Sequence, residues 1–309
     1  MSRGAFGNTT VKVFSLGRML RFIMNHPLNR KRKLESLRRF VFWQIGSRLA
    51  PGPVAINFVN GSKLLVSPGM TGATGNIYTG LHEFEDMSFV LHALRDDDLF
   101  VDVGANIGSY TILAAAAIGA TCVAFEPIQE TYHHLVRNIN LNGIGGIVTC
   151  ENIGIGSERG ELSFSSELDT VNHVLGKNDQ GVASVTVPVK PLDDALTRRH
   201  ATIIKIDVEG FETRVIDGAR ATLSDPSLLA VVMELNGSGE RYGFDEVALH
   251  KTMLAYEFLP FSYLPFEREL LSLNGKNAES GNTIYIKDVE KVRARLKSAP
   301  AFVVQGQSV

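Results

Sequence analysis

From about residue 84 to residue 256, short apolar runs bounded by glycine or charge alternate with longer stretches of helical periodicity. LFVDV (99–103), TCVAFEP (121–127), the segment 146–152, ATIIKIDVEG (201–210) and LLAVVMEL (228–235) have the length and β-branched content of buried strands. Between them 84–95, 109–118, 128–141, 212–223 and 244–256 read as helices. Such alternation implies parallel strands joined by right-handed crossovers, hence an α/β fold. FLPFSYL with ELLSLNG, and NTIYIKD (282–288), predict antiparallel sixth and seventh strands. GELSFSS (160–166) and ASVTVPV (183–189) predict an inserted β pair, with a loop over 167–181 and a short helix in PLDDALTRR. Upstream, the spacing predicts a helix over 31–49 and a strand pair over 54–66 turning at Asn60-Gly61. The tail after Ile286 reads as helical at most, with loose last residues. The expected division is a basic N-terminal extension, 1–80, and one α/β domain, 81–309.

Composition changes this picture mainly at the N-terminus. The chain of 309 residues, 44% of them hydrophobic, can bury a sizeable single core. No run reaches the roughly 18 apolar residues of a membrane span, and no secretory h-region is evident, so a cytoplasmic location is expected. Cys122 and Cys150 lie in apolar runs without paired spacing, which argues against a disulfide or a metal-binding cysteine site. Charge, however, is uneven. Residues 1–50 hold 11 Lys or Arg against one acid, Glu35, a net of +10 set against −12 in the rest. Within this part Leu34, Leu37, Val41, Ile45 and Leu49 recur at helical spacing, with Arg32, Arg38, Arg39 and Arg48 mostly elsewhere. Either the helix docks on the domain and leaves a basic face in water, or it meets an anionic membrane surface or anionic acceptor. Nucleic acid is not expected as a partner, because no aromatic stacking platform accompanies the arginines.

Open α/β sheets bind ligands beyond the carboxyl ends of their strands, so the strand ends hold the candidate chemistry. DVGANIGSYT (102–111) reads as a strand end, a turn with Gly104, Asn106 and Gly108, and a helix start. Glu126, 24 residues after Asp102, ends the next strand, where an acid can accept hydrogen bonds from both ribose hydroxyls. The turn lacks GxGxxG spacing, which counts against a pyrophosphate-bearing NAD or FAD. In the loop 151–156, either Asn152 bonds the edge of a flat ring while Ile153 and Ile155 pack its faces, or the segment is an ordinary turn with no ligand. Asp207 and Glu234 end the fourth and fifth strands; Glu209 is a second acid in DVEGFE, and Glu212 belongs to the first turn of a helix. His173, in the loop after the β insertion, can reach over an acceptor as a base, whereas His133 and His134 fall on a helix away from the strand ends. His82, Glu83 and Glu85 precede the helix before the first core strand.

Asp102 to Gly108 resembles motif I of class I S-adenosylmethionine (SAM) methyltransferases. From about Asn25 to Asp288 the chain resembles the FkbM-type methyltransferase family, through DVGANIGSYT, AFEP, NINLNG, KPLDDAL, IIKIDVEGFETRVIDGA, VVMELNG and NTIYIKD in that order. The resemblance implies a Rossmann-like seven-stranded, mostly parallel sheet with an antiparallel last strand. It also implies SAM as cofactor and methyl transfer to oxygen, with a hydroxyl of a sugar in a glycan, lipid-linked saccharide or glycosylated natural product as the favoured acceptor. Asp102 is then expected to face the methionine ammonium, with Glu83 or Glu85 bordering that end. Asp207 is expected beside the sulfonium methyl, as base or orienting group; with Glu209 it could instead hold a divalent cation, although no dedicated metal site is expected. The rival readings are an NAD-dependent oxidoreductase on a similar sheet and a non-catalytic SAM-binding partner protein.

Overall fold

The computed structural model describes residues 6–50, 52–165, 173–175 and 183–309. Helices α1 (Phe6–Asn25) and α2 (Lys33–Leu49) lead into a hairpin of β1 (Val54–Asn57) and β2 (Lys63–Val66), then α3 (Thr71–Thr79) and α4 (Phe84–Ala93). The alternating part runs β3 (Leu99–Val103), α5 (Ser109–Ile112), β4 (Thr121–Phe125), α6 (Gln129–Leu141) and β5 (Val148–Glu151). The inserted sheet comprises β6 (Gly154–Gly156), β7 (Gly160–Ser165) and β8 (Ser184–Pro191). There follow α7 (Leu192–Leu196), β9 (Ile203–Ile206), α8 (Glu212–Asp217), α9 (Arg220–Ser224), β10 (Ala230–Glu234) and α10 (Glu246–Ala255). The C-terminal part is β11 (Leu259–Leu264), β12 (Glu269–Ser272), β13 (Asn282–Ile286), α11 (Val289–Ser298), β14 (Val303–Val304) and β15 (Gln307–Ser308).

The main sheet has eight strands in the order β12-β11-β13-β10-β9-β3-β4-β5. β10, β9, β3, β4 and β5 are mutually parallel. β13 enters antiparallel between β10 and β11, so β11 returns to the direction of the core strands instead of running against them. Seven strands were expected; Glu269–Ser272 folds back on β11 as an eighth at the edge. Period-two alternation divides the strands cleanly between two cores. Phe100, Cys122, Ala124, Ile203, Val232 and Ile284 face α4, α6 and α11. Val101, Val103, Val123, Phe125, Ile204, Ile206, Val231 and Met233 pack with Leu192, Ile216 and Leu249 on the other side. Both cysteines are free. The helix after β3 opens into a π-helical segment at Leu113–Ile118, and the one expected over 212–223 breaks at Gly218, whose Cα sits against the Gly156 carbonyl.

Outside the alternating part, α2 docks on the domain, though not through its apolar stripe, and the C-terminus departs from expectation. Helix α2 docks through the face opposite its apolar stripe: Ser36 and Phe40 are buried, while Leu34 and Leu49 are 84% and 80% exposed. Phe40 and Trp43 pack there with Ile23, Ile77 and Tyr78, and polar contacts add to them: Arg39 donates to Asn29 Oδ1 (2.7 Å) and to the Tyr78 carbonyl (3.1 Å), and Gln44 to the Tyr78 hydroxyl (2.8 Å). Nor is the C-terminus loose. Gln305 and Gly306, at φ of 49° and 72°, close a two-residue hairpin, and Phe302 and Val309 exchange two backbone hydrogen bonds of 2.9 Å. Val304 bridges to Val59, so the tail pins the β1–β2 hairpin, which α6 also holds through Asn138 and Asn142. Phe302, Val304 and Val309 are all buried. Phe302→Ala should therefore cost about 3 kcal/mol of unfolding free energy, within the range for deleting a core aromatic ring, as read from urea denaturation.

Candidate active site

The site is built where β3, β4, β9 and β10 end. After β3 the chain turns at Gly104, whose φ of 79° suits glycine and whose missing side chain leaves room for the Asp207 carbonyl; any Cβ there would collide with it. Gly104 and Ala105 both donate to the Phe125 carbonyl (3.0 and 2.9 Å). Asn106, also left-handed at 52°, aims its N–H at Glu126 Oε2 (2.9 Å), and Ile128 N–H bonds Oε1 of the same carboxylate (2.9 Å). Glu126 thus joins the two loops and keeps further lone pairs for a ligand. After β9, Glu212 Oε1 accepts from Val208 N (3.2 Å) and Gly210 N (3.1 Å), bracing a loop in which Glu209 is held at a φ of 53°. Gly210 is packed against the Ser238 backbone, which leaves no room for a side chain.

Two adjoining cavities open on these loops and share Gly104, Asn106, Asp207 and Glu209. The first is walled by Phe125, Ile128, Ile153, Ile155, Phe164 and Phe211, with Glu126 among its lining residues. The second is charged: Glu83, Asp102, Lys205, Asp207, Glu209 and Glu234 line it beside Tyr110, His82 and Asn76. One end therefore suits a flat apolar ring and a diol, and the other suits groups carrying charge.

Lys205 organises the charged end. It is 1% exposed, and its Cα partners across the sheet are Asp102 and Val232. Its ammonium donates to Asn282 Oδ1 (2.9 Å) and Asp207 Oδ2 (3.3 Å) and lies 5.4 Å from the centre of the Tyr110 ring. Asn282 in turn donates to Glu83 Oε1 (2.7 Å) and Asp86 Oδ2 (3.1 Å), and Tyr110 donates to Glu83 Oε2 (2.8 Å). Burial pulls the lysine's pKa down, but the charges of Asp207, Glu83, Glu234 and Asp86 more than offset it. Asp102, which accepts from Thr111 Oγ1 (2.7 Å), is pushed up to about 6 by burial. Burial likewise raises Glu126 to about 7 and, with the charge of Glu83, Asp86 to about 7. Glu209 rises to about 7 and Glu234 to about 9, each first through burial and then through the charge of Asp207. The carboxylates of Asp207, Glu209 and Glu234 bring one oxygen each within 4.8 Å of one another. Such a trio can share protons, and its chemistry would also accept a divalent cation.

Of the residues singled out in the sequence, Gly104, Asn106, Glu126, Asp207 and Glu209 line the first cavity, and Glu83 and Asp102 join the second. Between the two upstream acids the geometry selects Glu83, since Glu85 is not among the lining residues. Three others stand elsewhere. Asn152 turns its amide onto the Glu126 and Pro127 carbonyls (both 2.8 Å), bracing the β4 exit instead of facing the cavity. Gly108, at a φ of 94°, starts α5 close against Leu135. His173 is buried against β7, its N–H donating to Ser165 Oγ (3.0 Å) and its carbonyl accepting from Ser165 N (2.9 Å); its neighbour Val174 lines the first cavity. Sequence reasoning passed over Lys205, Tyr110 and Asn282. A lysine inside the otherwise apolar run IIKI was the available signal, because a cation in a buried strand needs anionic partners.

An open α/β sheet with an apolar slot, an acid after the second core strand and an acidic junction belongs to the class of α/β domains that bind ligands beyond the carboxyl ends of their strands. The comparisons make this specific: residues 102–264 match the family described as Methyltransferase FkbM domain, and the chain belongs to that family. It is similar to Methyltransferase 1 of Beauveria bassiana, with 29% identity over 44% of this chain and 64% of the relative. It is also similar to hexuronic acid methyltransferase AglP of Haloferax volcanii, with 26% identity over 48% of this chain and 61% of that protein. The alignments thus span less than two thirds of these curated relatives. A crystal structure of methyltransferase FkbM from Methylobacillus flagellatus overlaps with a TM-score of 0.44 at 16% identity, covering 70% of this chain and 52% of that one.

A buried carboxyl whose pKa is raised on folding binds its proton more tightly in the native state. Its contribution is therefore complete below the unfolded value and is lost as pH rises through the folded one. For Glu234 that window runs from 4.5 to about 9. Stability from urea titrations should accordingly fall across this window, and Glu234→Gln should flatten the fall.

Proposed function

We propose that this protein is a SAM-dependent O-methyltransferase acting on a hydroxyl of a sugar, in a glycan, a lipid-linked saccharide or a glycosylated natural product. The carrying observation is the meeting of Asp207, Glu209 and Glu234 at the junction of an apolar and a charged cavity. The residues fit the cofactor by the chemistry of their donors and walls. Ile153 and Ile155 line the apolar cavity and would flank the purine, and Glu126 would accept from the ribose hydroxyls. Asp102 and Glu83 attract the methionine ammonium. When bound, SAM supplies a methyl group already activated on a sulfonium.

What remains for the chain is alignment and proton removal, because a neutral hydroxyl is a weak nucleophile until it shares its proton. Asp207 orients the acceptor hydroxyl and takes its proton. Glu209, raised to about 7, is poised to exchange protons near neutrality, and Glu234, raised to about 9, stays protonated and limits the charge at the junction. Three acids in one place suit an acceptor whose reacting oxygen must lose a proton as it is methylated. A sugar acceptor is further supported by the relative whose name gives a hexuronic acid as its substrate.

The test is transfer of a labelled methyl group from SAM to a panel of glycans and lipid-linked saccharides. Asp207→Asn should lower turnover by about 10² to 10⁴, the usual worth of a positioned base, with SAM affinity little changed. Glu126→Ala should instead weaken SAM binding first. Full turnover in Asp207→Asn would remove that residue from the chemistry.

A further inference from the structure

The outer face of α2 carries an apolar stripe that nothing among the described residues covers. Leu34, Leu37, Val41, Phe42, Ile45 and Leu49 are between 38% and 84% exposed. Contiguous exposed apolar surface of this kind marks an interaction site. Among the described residues the stripe is accompanied by cations: Arg38 lies over the Phe42 ring at 5.1 Å, Arg48 is exposed near the C-terminal end, and Arg30 to Lys33 cluster at the N-terminal end. Glu35 is the one acid in residues 1–50, and Arg32 pairs with it at 3.6 Å.

We propose that this face of α2 docks on the surface of an anionic phospholipid bilayer, with the stripe lying at the boundary between headgroups and acyl chains. Charge selects the occupant. A second copy apposed through the same face would bring together two segments of net +10, whereas anionic headgroups complement them. Nucleic acid would satisfy the arginines but leave the aliphatic side chains in water. The long stems of Arg38 and Arg48 can follow the apolar surface while their guanidinium groups reach phosphates. α2 has 17 residues, and no helix among the described residues is long and apolar enough to cross a membrane, so the helix would lie in the interface plane. The proposal goes beyond methyl transfer and does not depend on it. Should the acceptor prove to be lipid-linked, the same contact would bring enzyme and acceptor onto one surface.

Co-sedimentation of the full chain with vesicles of phosphatidylcholine, alone or mixed with phosphatidylglycerol, tests it. Binding is expected only to the mixed vesicles and should weaken as salt rises. The double variant Ile45→Glu, Leu49→Glu should lower the partition coefficient by about tenfold or more. Because both side chains are exposed, its melting temperature and SAM affinity should match the parent's. Equal binding to both vesicle types, no binding to either, or unaltered binding by the variant would overturn the proposal. So would sedimentation velocity showing, without vesicles, a dimer that the same variant dissociates.

Discussion

The ammonium of Lys205 is the interaction on which the candidate site depends. It sits at the centre of the sheet, 1% exposed, and through Asn282 it ties β9 to β13 and to Glu83 and Asp86 at the start of α4. Without a cation there, several carboxyl groups facing one small volume could be tolerated only by protonation. Losing one partner of a buried charged network generally costs about 3–5 kcal/mol, because the remaining charges stay buried and uncompensated. The acids near the strand ends are therefore affordable in a hydrophobic sheet only because β9 interrupts its apolar run with a lysine.

That constraint also divides the acids by protonation. Asp102, at about 6, is largely charged at neutral pH and sits deepest, across the sheet from the lysine. Glu209 stands near 7 and Glu234 near 9, so the junction does not bear three full negative charges at once. Separate environments pushing neighbouring carboxyls apart is how one site obtains both a proton acceptor and a proton donor. The apolar slot adds the other requirement, a dry wall on which a ring can be seated before the chemistry begins.

Much of this was legible in the sequence because it depends on local rules. Runs such as TCVAFEP and LLAVVMEL fold as buried strands, so the acids that end them, Glu126 and Glu234, had to stand at the mouth of the crevice. The turn at Gly104 and the position of Asp207 followed from the same alternation. What escaped was set by tertiary contacts. Asn152 is as able to bond a purine as a carbonyl, and the nearby Glu126–Pro127 backbone decided it. The seating of α2 joins Phe40 and Trp43, packed with Ile23, Ile77 and Tyr78, to contacts of Arg39 and Gln44 with Tyr78 that hydrophobic periodicity does not encode. Likewise the last residues looked expendable by position, yet Val304 and Val309 are core side chains held by a Gln305-Gly306 turn. The strand at 269–272 illustrates the same limit, since an edge strand is specified by the neighbour it finds and only weakly by its own composition.

The central claim is that the two cavities form one cofactor site in which Glu126 reads a ribose. Isothermal titration calorimetry with SAM, S-adenosylhomocysteine and NAD, on the parent chain and on Glu126→Ala, tests it most directly. The account predicts that SAM and its demethylated product bind the parent and that both heats are lost or greatly reduced in the variant, with no binding of NAD. Binding of NAD without SAM, or SAM affinity indifferent to Glu126, would contradict it.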